Sequence, residues 1–564
     1  MLSEQEKRYL SYLDVEKLHV YFKNIASFHR RSDGKGEGDA RAYIREELDR
    51  LGIAVSESAS KGLLAFGGAG RVEVLSPDPR EIPAKAWNFS APALAVSGAA
   101  VVLERADFPA GVLDHLSGER GTKRDLEGRV ALSRFVSPQA VLNAQSRGAV
   151  GFVICWDTGG EKQIHHSGVA MWWGTPMPEE SLWSPAIPVL AVNRDDGNLL
   201  IDRAKQGRTV LSLSCESVET VADVPLLEAF LPSTTDDPHF LLVGAHLDSK
   251  HFGATDNATG AAIALSLAAA LGALPERRWG VRICWWSGHE FGKYTGSSNY
   301  VRDRFEEMDR HCVAYSNIDM PGMRGASDFG KITAGPDLFA LAERTVADLT
   351  GQKGTASPRV RSWDQSFQNL GISPFFIWTS ALPPDSPDRT GSGAMPWWWH
   401  TEADTAEFCD PQTLETDARL YMTGLLRLLA EGGLDVVSLG NAVAGRLREL
   451  EAVLPESIDP KPLREALQKA VGRWDANARR FETTLRAARL LNRVHYAARD
   501  AYLQDWGDVG DFVPGLSEAA RILQRDGLSE RQKVIVHNYA KTQWNRLNLL
   551  VRELAGLTRE KFKI

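Results

Sequence analysis

The chain has 564 residues, 43% of them hydrophobic and 24% charged, with a formal net charge of −8. That length exceeds one hydrophobic core and implies several domains, and the composition is that of a soluble globular protein without a disordered tract. The acidic balance excludes a basic surface for nucleic acid or an anionic membrane, so a small or peptide-like ligand is expected.

The first residues, MLSEQEKRYLSYLDVEKL, mix charges into a helical period and lack the apolar core of a secretory signal. Five widely spaced cysteines, set mostly in apolar runs, fit reduced and buried thiols, and the expected compartment is the cytoplasm. Two helices are expected within residues 15–52, where VEKLHVYFKNIASF and DARAYIREELDRLGI space apolar residues by three and four before a Gly stop. The RRSDGKGEGD segment reads as a loop between them, and its glycines follow no strand that would make it a phosphate cradle. From about residue 90 to 222 the texture changes to short β-rich runs such as ALAVSGAAVVL, GRVALSRF and AVGFVICW, interrupted by helical stretches near residues 138–147 and 195–206.

From residue 225 strands and helices alternate as a doubly wound α/β sheet requires, with strands in HFLLVGA, WGVRICWW, CVAYSNID, GKITAG and SPFFIWT. Near-continuous apolar runs of this kind suit strands covered on both faces. After Gly433 the chain reads as long charged helices, including one stretch from PLREALQKAV through to RDAYL, and a helical bundle is expected to close the protein.

WWSGHEFGKYTG, residues 285–296, invites a zinc-protease reading, but H-E-x-x-H needs a second His where Lys293 stands. Acidic residues and His nevertheless collect at the carboxyl ends of the expected strands, where open α/β sheets place their sites. His246 and Asp248 end the first strand in GAHLD, so that the carboxylate can hold the imidazole from behind. Asp256 follows in GATDNATG, Glu290 ends the second strand beside His289, Asp319 ends the third in SNIDM, and His400 lies in PWWWHTEADT. Each alone has a structural explanation: a core His, a helix cap, a turn residue. Together, two His and three carboxylates supply two divalent metals with mixed N and O ligands.

The stretch from about residue 238 to 430 resembles the dizinc aminopeptidase and glutamate carboxypeptidase family in its H-x-D, D-N-A-x-G, strand-end E-E, strand-end D and late H-T-x-x-D-T. The resemblance implies that His246 and Asp319 hold one zinc, Glu290 and His400 the other, and Asp256 bridges them. It further implies that Asp248 orients His246, that Asp404 supports the site from behind, and that SWDQSF brings Trp363 and Asp364 to it. It also implies a discontinuous α/β peptidase domain (1–90 and 223–435), an inserted β-rich protease-associated-like domain (91–222), and a helical domain (436–564) through which a homodimer forms.

Two departures stand out. Relatives carry Glu-Glu at the second strand end, the first serving as general base, and here that position is His289; where one branch has an oxyanion-donating Tyr before the late His, this chain has Trp399. His289 is therefore the expected base, kept neutral by two dications, provided the chain turns out of its strand at Gly288. Trp398 and Trp399, with Trp363 and Asp364, are the expected substrate contacts. Trp285 and Trp286 are read as core, and His165 and His166 as a solvated loop. Zinc suits the donors, although manganese or cobalt would fit them too. The expected activity is metal-dependent hydrolysis of a peptide or amide bond by an aminopeptidase-like exopeptidase. The alternatives are an amidase for a small non-peptide amide and a non-catalytic ligand-binding protein.

Overall fold

Spacing and caps produce the first helices: Asp14 caps Val15–Ala26 by accepting from the Lys17 amide at 3.0 Å, and Leu18, Phe22 and Ile25 of that helix are buried. The computed structural model describes residues 1–109, 111–118, 125–156, 162–207, 209–358, 361–390, 395–474, 480–507 and 511–558. The next helix, Lys35–Arg50, starts inside RRSDGKGEGD, so only the first half of that segment is the expected loop.

The strands are β1 (Ala54–Ser76), β2 (Arg80–Ala86), β3 (Ala93–Val102), β4 (Arg129–Ser133), β5 (Gly151–Cys155), β6 (Val189–Val192) and β7 (Val210–Leu231). They continue with β8 (Phe240–His246), β9 (Gly280–Trp286), β10 (Cys312–Asn317), β11 (Lys331–Thr333), β12 (Thr355–Ser357) and β13 (Ser373–Pro374). One sheet runs in the order β1-β2-β6-β5-β4-β3-β7-β9-β8-β10-β13. Strand β7 pairs antiparallel with β1 over most of its length and its last residues pair antiparallel with β9. Because β1 also pairs with β2, the strands from β1 to β7 close on one another and leave no free edge. Inside this ring β3, β4, β5 and β6 are parallel neighbours, with helix Pro138–Ser146 between β4 and β5 and helix Arg194–Gln206 between β6 and β7, at the two helical stretches expected within this β-rich segment.

On the other side of β7, strands β9, β8, β10 and β13 are parallel. Every residue of β8 is buried, as its unbroken apolar sequence requires when helices such as Thr259–Gly272 cover the sheet. The carboxyl ends of β8, β9 and β10 lie side by side, with His246 paired to Trp286 and Gly244 to Asn317. Two expected strands differ. GKITAG pairs with Thr355–Ser357 in a separate two-stranded sheet, and only Ser373 and Pro374 of SPFFIWT pair with β10.

The C-terminal helices are Val436–Glu451, Lys461–Val471, Phe481–Tyr496, Pro514–Leu523 and Glu530–Leu557. The long helix expected from PLREALQKAV onward is interrupted after Val471, with residues 475–479 outside the described part, and it ends at Tyr496. These helices share one hydrophobic core with the β9-β8-β10 part of the sheet, and buried Arg489 donates to the carbonyls of Met308 and Cys312 at 2.8 and 2.6 Å. Among the described residues no helix is long and apolar enough to cross a membrane.

Candidate metal centre and catalytic dyad

The site forms where three strand ends and two loops meet. His246 closes β8 and Asp319 follows β10, while Asp256 stands in the turn that starts helix Thr259–Gly272. At the end of β9 the chain turns through Gly288 in the left-handed region, φ 70°, and enters a helical turn, His289–Gly292. That turn lets His289 and Glu290 reach the same site, as the expectation at Gly288 required.

The carboxylate of Asp256 faces both imidazoles: Oδ1 lies 3.0 Å from His246 Nε2 and Oδ2 lies 3.2 Å from His400 Nε2. Asp319 Oδ1 lies 3.3 Å from His246 Nε2, and Glu290 Oε1 lies 3.0 Å from His400 Nε2. Two triads result, His246–Asp256–Asp319 and Asp256–Glu290–His400, with the ligand atoms of each within 4.8 Å of one another. Asp256 Oδ1 and Glu290 Oε1 are buried without a well-aligned hydrogen bond, so the donors converge without satisfying each other. Burial depresses both imidazoles, but Asp319, Asp248 and Asp256 raise His246 well above the ordinary range, and Glu290 with Asp256 raises His400 to about 9. A field that binds protons this tightly fits divalent cations with N and O ligands.

The supporting residues differ in part from expectation. Asp248 holds His246 through its carbonyl oxygen, 2.8 Å from Nδ1, while its carboxylate stands 3.6 Å away. That carboxylate instead accepts from the Glu290 amide at 2.9 Å and the His289 amide at 3.3 Å, capping the short turn that carries both. Asp404 accepts from the amides of Thr255 and Asp256 at 2.9 and 3.0 Å and so fixes Asp256 from behind; burial pushes its carboxyl up to about 7.

Asp364, expected to contact substrate, is buried and accepts from His289 Nδ1 at 2.6 Å. Ser297 donates to the other carboxylate oxygen at 2.6 Å. Burial and His246 push His289 down, but Asp364 outweighs them and holds it above its ordinary value, a push absent from the expectation that cations alone would set it. Trp398 is buried and donates to Thr255 Oγ1 at 3.1 Å, so it is core rather than a substrate contact. Trp399 lines the cavity, yet its N–H is committed to Asp256 Oδ2 at 2.7 Å; Trp363 also lines the cavity. Trp285 and Trp286 are buried in the sheet.

Several contributors were not legible as such. Buried Arg30, from the RRSDGKGEGD segment, donates to the carbonyls of Leu247, Phe252 and Gly253 and so clamps the loop after His246. Ser32 donates to Asp248. His165 and His166 are buried rather than solvated; the His165 ring stacks on Trp156 at 4.0 Å and lies 5.2 Å from His400, and the His166 amide donates to the His400 carbonyl at 3.1 Å. The adjacent His165–His166 pair before the apolar VAMWW run was the available signal, but only the fold of the β3–β7 segment brings that loop over the site. His165 joins Asp256, His289, Glu290, Asp319, Trp399 and His400 in lining a cavity of about 270 Å³.

Residues 229–423 match the family model described as Peptidase family M28. An aminopeptidase of Pseudomonas aeruginosa is 31% identical over 212 residues, 33% of this chain and 39% of that protein. A probable glutamate carboxypeptidase of Zea mays is 27% identical over 179 residues, 30% of this chain and 23% of that protein. The chain thus spans less than half the length of these curated relatives. Among solved structures, an aminopeptidase from Aneurinibacillus sp. strain AM-1 superposes with a TM-score of 0.55 at 18% identity, covering 75% of this chain and 95% of its own. A peptidase M28 precursor from Shewanella amazonensis gives 0.55 at 21% identity, with the same coverages of 75% and 95%. The fold and the sequence match agree on the same part of the chain: residues 229–423 are similar in sequence to peptidase family M28, and the chain shares the fold of these solved aminopeptidase and peptidase structures.

Proposed function

We propose that the protein is a metal-dependent exopeptidase of the aminopeptidase type, with two zinc ions held by His246, Asp256, Glu290, Asp319 and His400. The observation that carries this reading is the Asp256 carboxylate facing His246 on one side and His400 on the other, at 3.0 and 3.2 Å. The chemistry that divalent cations supply at such a donor set is Lewis acidity toward a carbonyl oxygen and a lowered water pKa.

The remaining work belongs to side chains of this chain. Asp364 at Nδ1 fixes the tautomer of His289, leaving Nε2 as the proton acceptor, the logic by which a carboxylate prepares an imidazole base. The same nitrogen, once protonated, is the acid that returns a proton to the departing amine. Trp399 holds Asp256 in place with its N–H, and the aromatic walls shed water from the substrate. The inserted segment is proposed as a protease-associated-like domain that roofs the site.

Release assays on aminoacyl and C-terminal peptide substrates, with and without chelator, test this reading. His289→Ala is expected to lower kcat roughly 10²- to 10⁴-fold with metal content unchanged, and Asp364→Asn to lower it as well. Glu290→Ala is expected to lose metal. Because His289 also lies within ligand distance of His246 and Glu290, loss of an ion from His289→Ala would make it a ligand and overturn its role as base.

A further inference from the structure

The cavity has one feature that metal binding and the His289–Asp364 pair leave unused. Among the described residues lining it, Lys293 is the only lysine or arginine. Its carboxylates, Asp256, Glu290 and Asp319, are all in the metal-donor set. Two other lysines nearby are already committed. Lys85 pairs with Glu402, and buried Lys250 donates to the Glu290 carbonyl at 2.9 Å and sits over the Phe291 ring. Among the described residues no carboxylate pairs with Lys293; its ammonium has only the Tyr294 ring, at 5.4 Å.

The backbone beneath it is fixed. Lys293 and Tyr294 both have positive φ, 54° and 69°, a conformation that non-glycine residues keep only when surroundings enforce it. Here the enforcing contacts come from the inserted segment: the Gly174 amide donates to the Lys293 carbonyl at 2.6 Å, and Trp173 stacks on Tyr294 at 4.1 Å. Tyr294 in turn meets the His289 ring edge-on at 4.7 Å. The ammonium is thus carried on a braced turn three residues from Glu290, at a half-buried position where an ion pair is less screened than at the surface.

From this placement we infer that Lys293 is a specificity residue that binds a free carboxylate on the leaving half of the substrate, so that the enzyme acts on dipeptides and similarly short substrates. The inference rests on the exopeptidase reading above. With the carboxylates committed to the metal-donor set, Lys293 is the lining side chain that offers such an anion an unused ammonium. Trp87, Phe89, Trp156 and Trp363 give the cavity aromatic walls, so the matched probe is an aromatic amino acid.

The test compares L-phenylalanine with 2-phenylethylamine, which lacks the carboxylate and has no amide to hydrolyse, by calorimetric titration of the zinc-loaded full chain. The expected result is binding of the amino acid at least tenfold tighter than the amine, a ratio that falls toward one in Lys293→Met and is retained in Lys293→Arg, with both variants melting like the parent chain. Equal affinities in the parent chain, no binding of either ligand, or an unchanged ratio in Lys293→Met would overturn the inference. Turnover of Leu-Phe, measured separately, reports on the peptidase reading, so failure of one is distinguishable from failure of the other.

Discussion

The His289 ring lies parallel to that of His246 with centroids 3.8 Å apart, while its Nδ1 is held by Asp364. Two imidazoles that close cannot both carry charge cheaply, so the protonation of one is tied to the occupant of the other. Elsewhere a single buried His makes a simpler prediction. His495 stacks on Phe512 at 4.5 Å, neither of its ring nitrogens has a hydrogen-bond partner, and burial followed by Arg446 depresses it to about 3. Between that value and the ordinary value of about 6.5 the unfolded chain binds a proton that the folded chain refuses, so stability rises with pH across this window and is lost as pH falls. The slope from one such group approaches ~1.4 kcal/mol per pH unit. Urea unfolding at pH 5 and pH 7 is expected to show a smaller stability difference in His495→Gln than in the parent chain; an identical difference would contradict this. At this scale His246, Asp256, Glu290 and Asp319 were legible because they follow strand ends or open a helix, and His400, in a loop, because it comes after them in the H-T-x-x-D-T pattern. The partner of His289 was not, because Asp364 lies 75 residues away and only tertiary packing decides which atom it meets.

The elements that position the site do so through tight backbone approaches. Gly288 turns the chain out of β9, and the Asp248 carboxylate caps the helical turn that follows, so one loop organises the ends of two strands. Gly244 of β8 lies under Trp286, where an added Cβ would stand 2.2 Å from the indole Nε1. Since both neighbours are in a buried sheet that cannot open, Gly244→Ala is expected to cost roughly 1–3 kcal/mol, read as a lower urea midpoint with an unchanged m-value. A midpoint equal to the parent's would show that the sheet accommodates the methyl group. The apolar runs of β8, β9 and β10 announced buried parallel strands, whereas GKITAG carries the same apolar signature and pairs elsewhere. Pairing partners are non-local, so local pattern alone cannot choose between the main sheet and a small separate one. The start of helix Lys35–Arg50 inside a glycine-rich stretch was hidden for a related reason: its glycines argue for a loop, and burial of Ala40, Ile44 and Leu48 overrides them.

At the level of the whole molecule, the β3–β7 segment and the C-terminal helical region both reach the site. Trp173 donates to Ser366 at 2.8 Å, Ser366 hydrogen-bonds Ser297, and Ser297 donates to Asp364; Gln504, from the loop after helix Phe481–Tyr496, donates to the Ser366 carbonyl at 3.0 Å. The order of segments along the chain was legible from composition, but this convergence was not, since it depends on how three folded parts meet. The final helix, Glu530–Leu557, keeps Val534 and Leu549 exposed at 66% and 65%. We propose that residues 440–564 form a homodimer interface, so light scattering at micromolar concentration is expected to give twice the chain mass of 62.0 kDa, and a monomer mass would contradict it. The central claim is that five residues from three strand ends and two loops form a dinuclear zinc centre. Its most direct measurement is a crystal structure of the zinc-loaded protein with anomalous scattering recorded at the zinc edge. The account predicts two peaks per chain, one against His246 and Asp319, the other against Glu290 and His400, with Asp256 touching both; no peak, or peaks away from these residues, would contradict it.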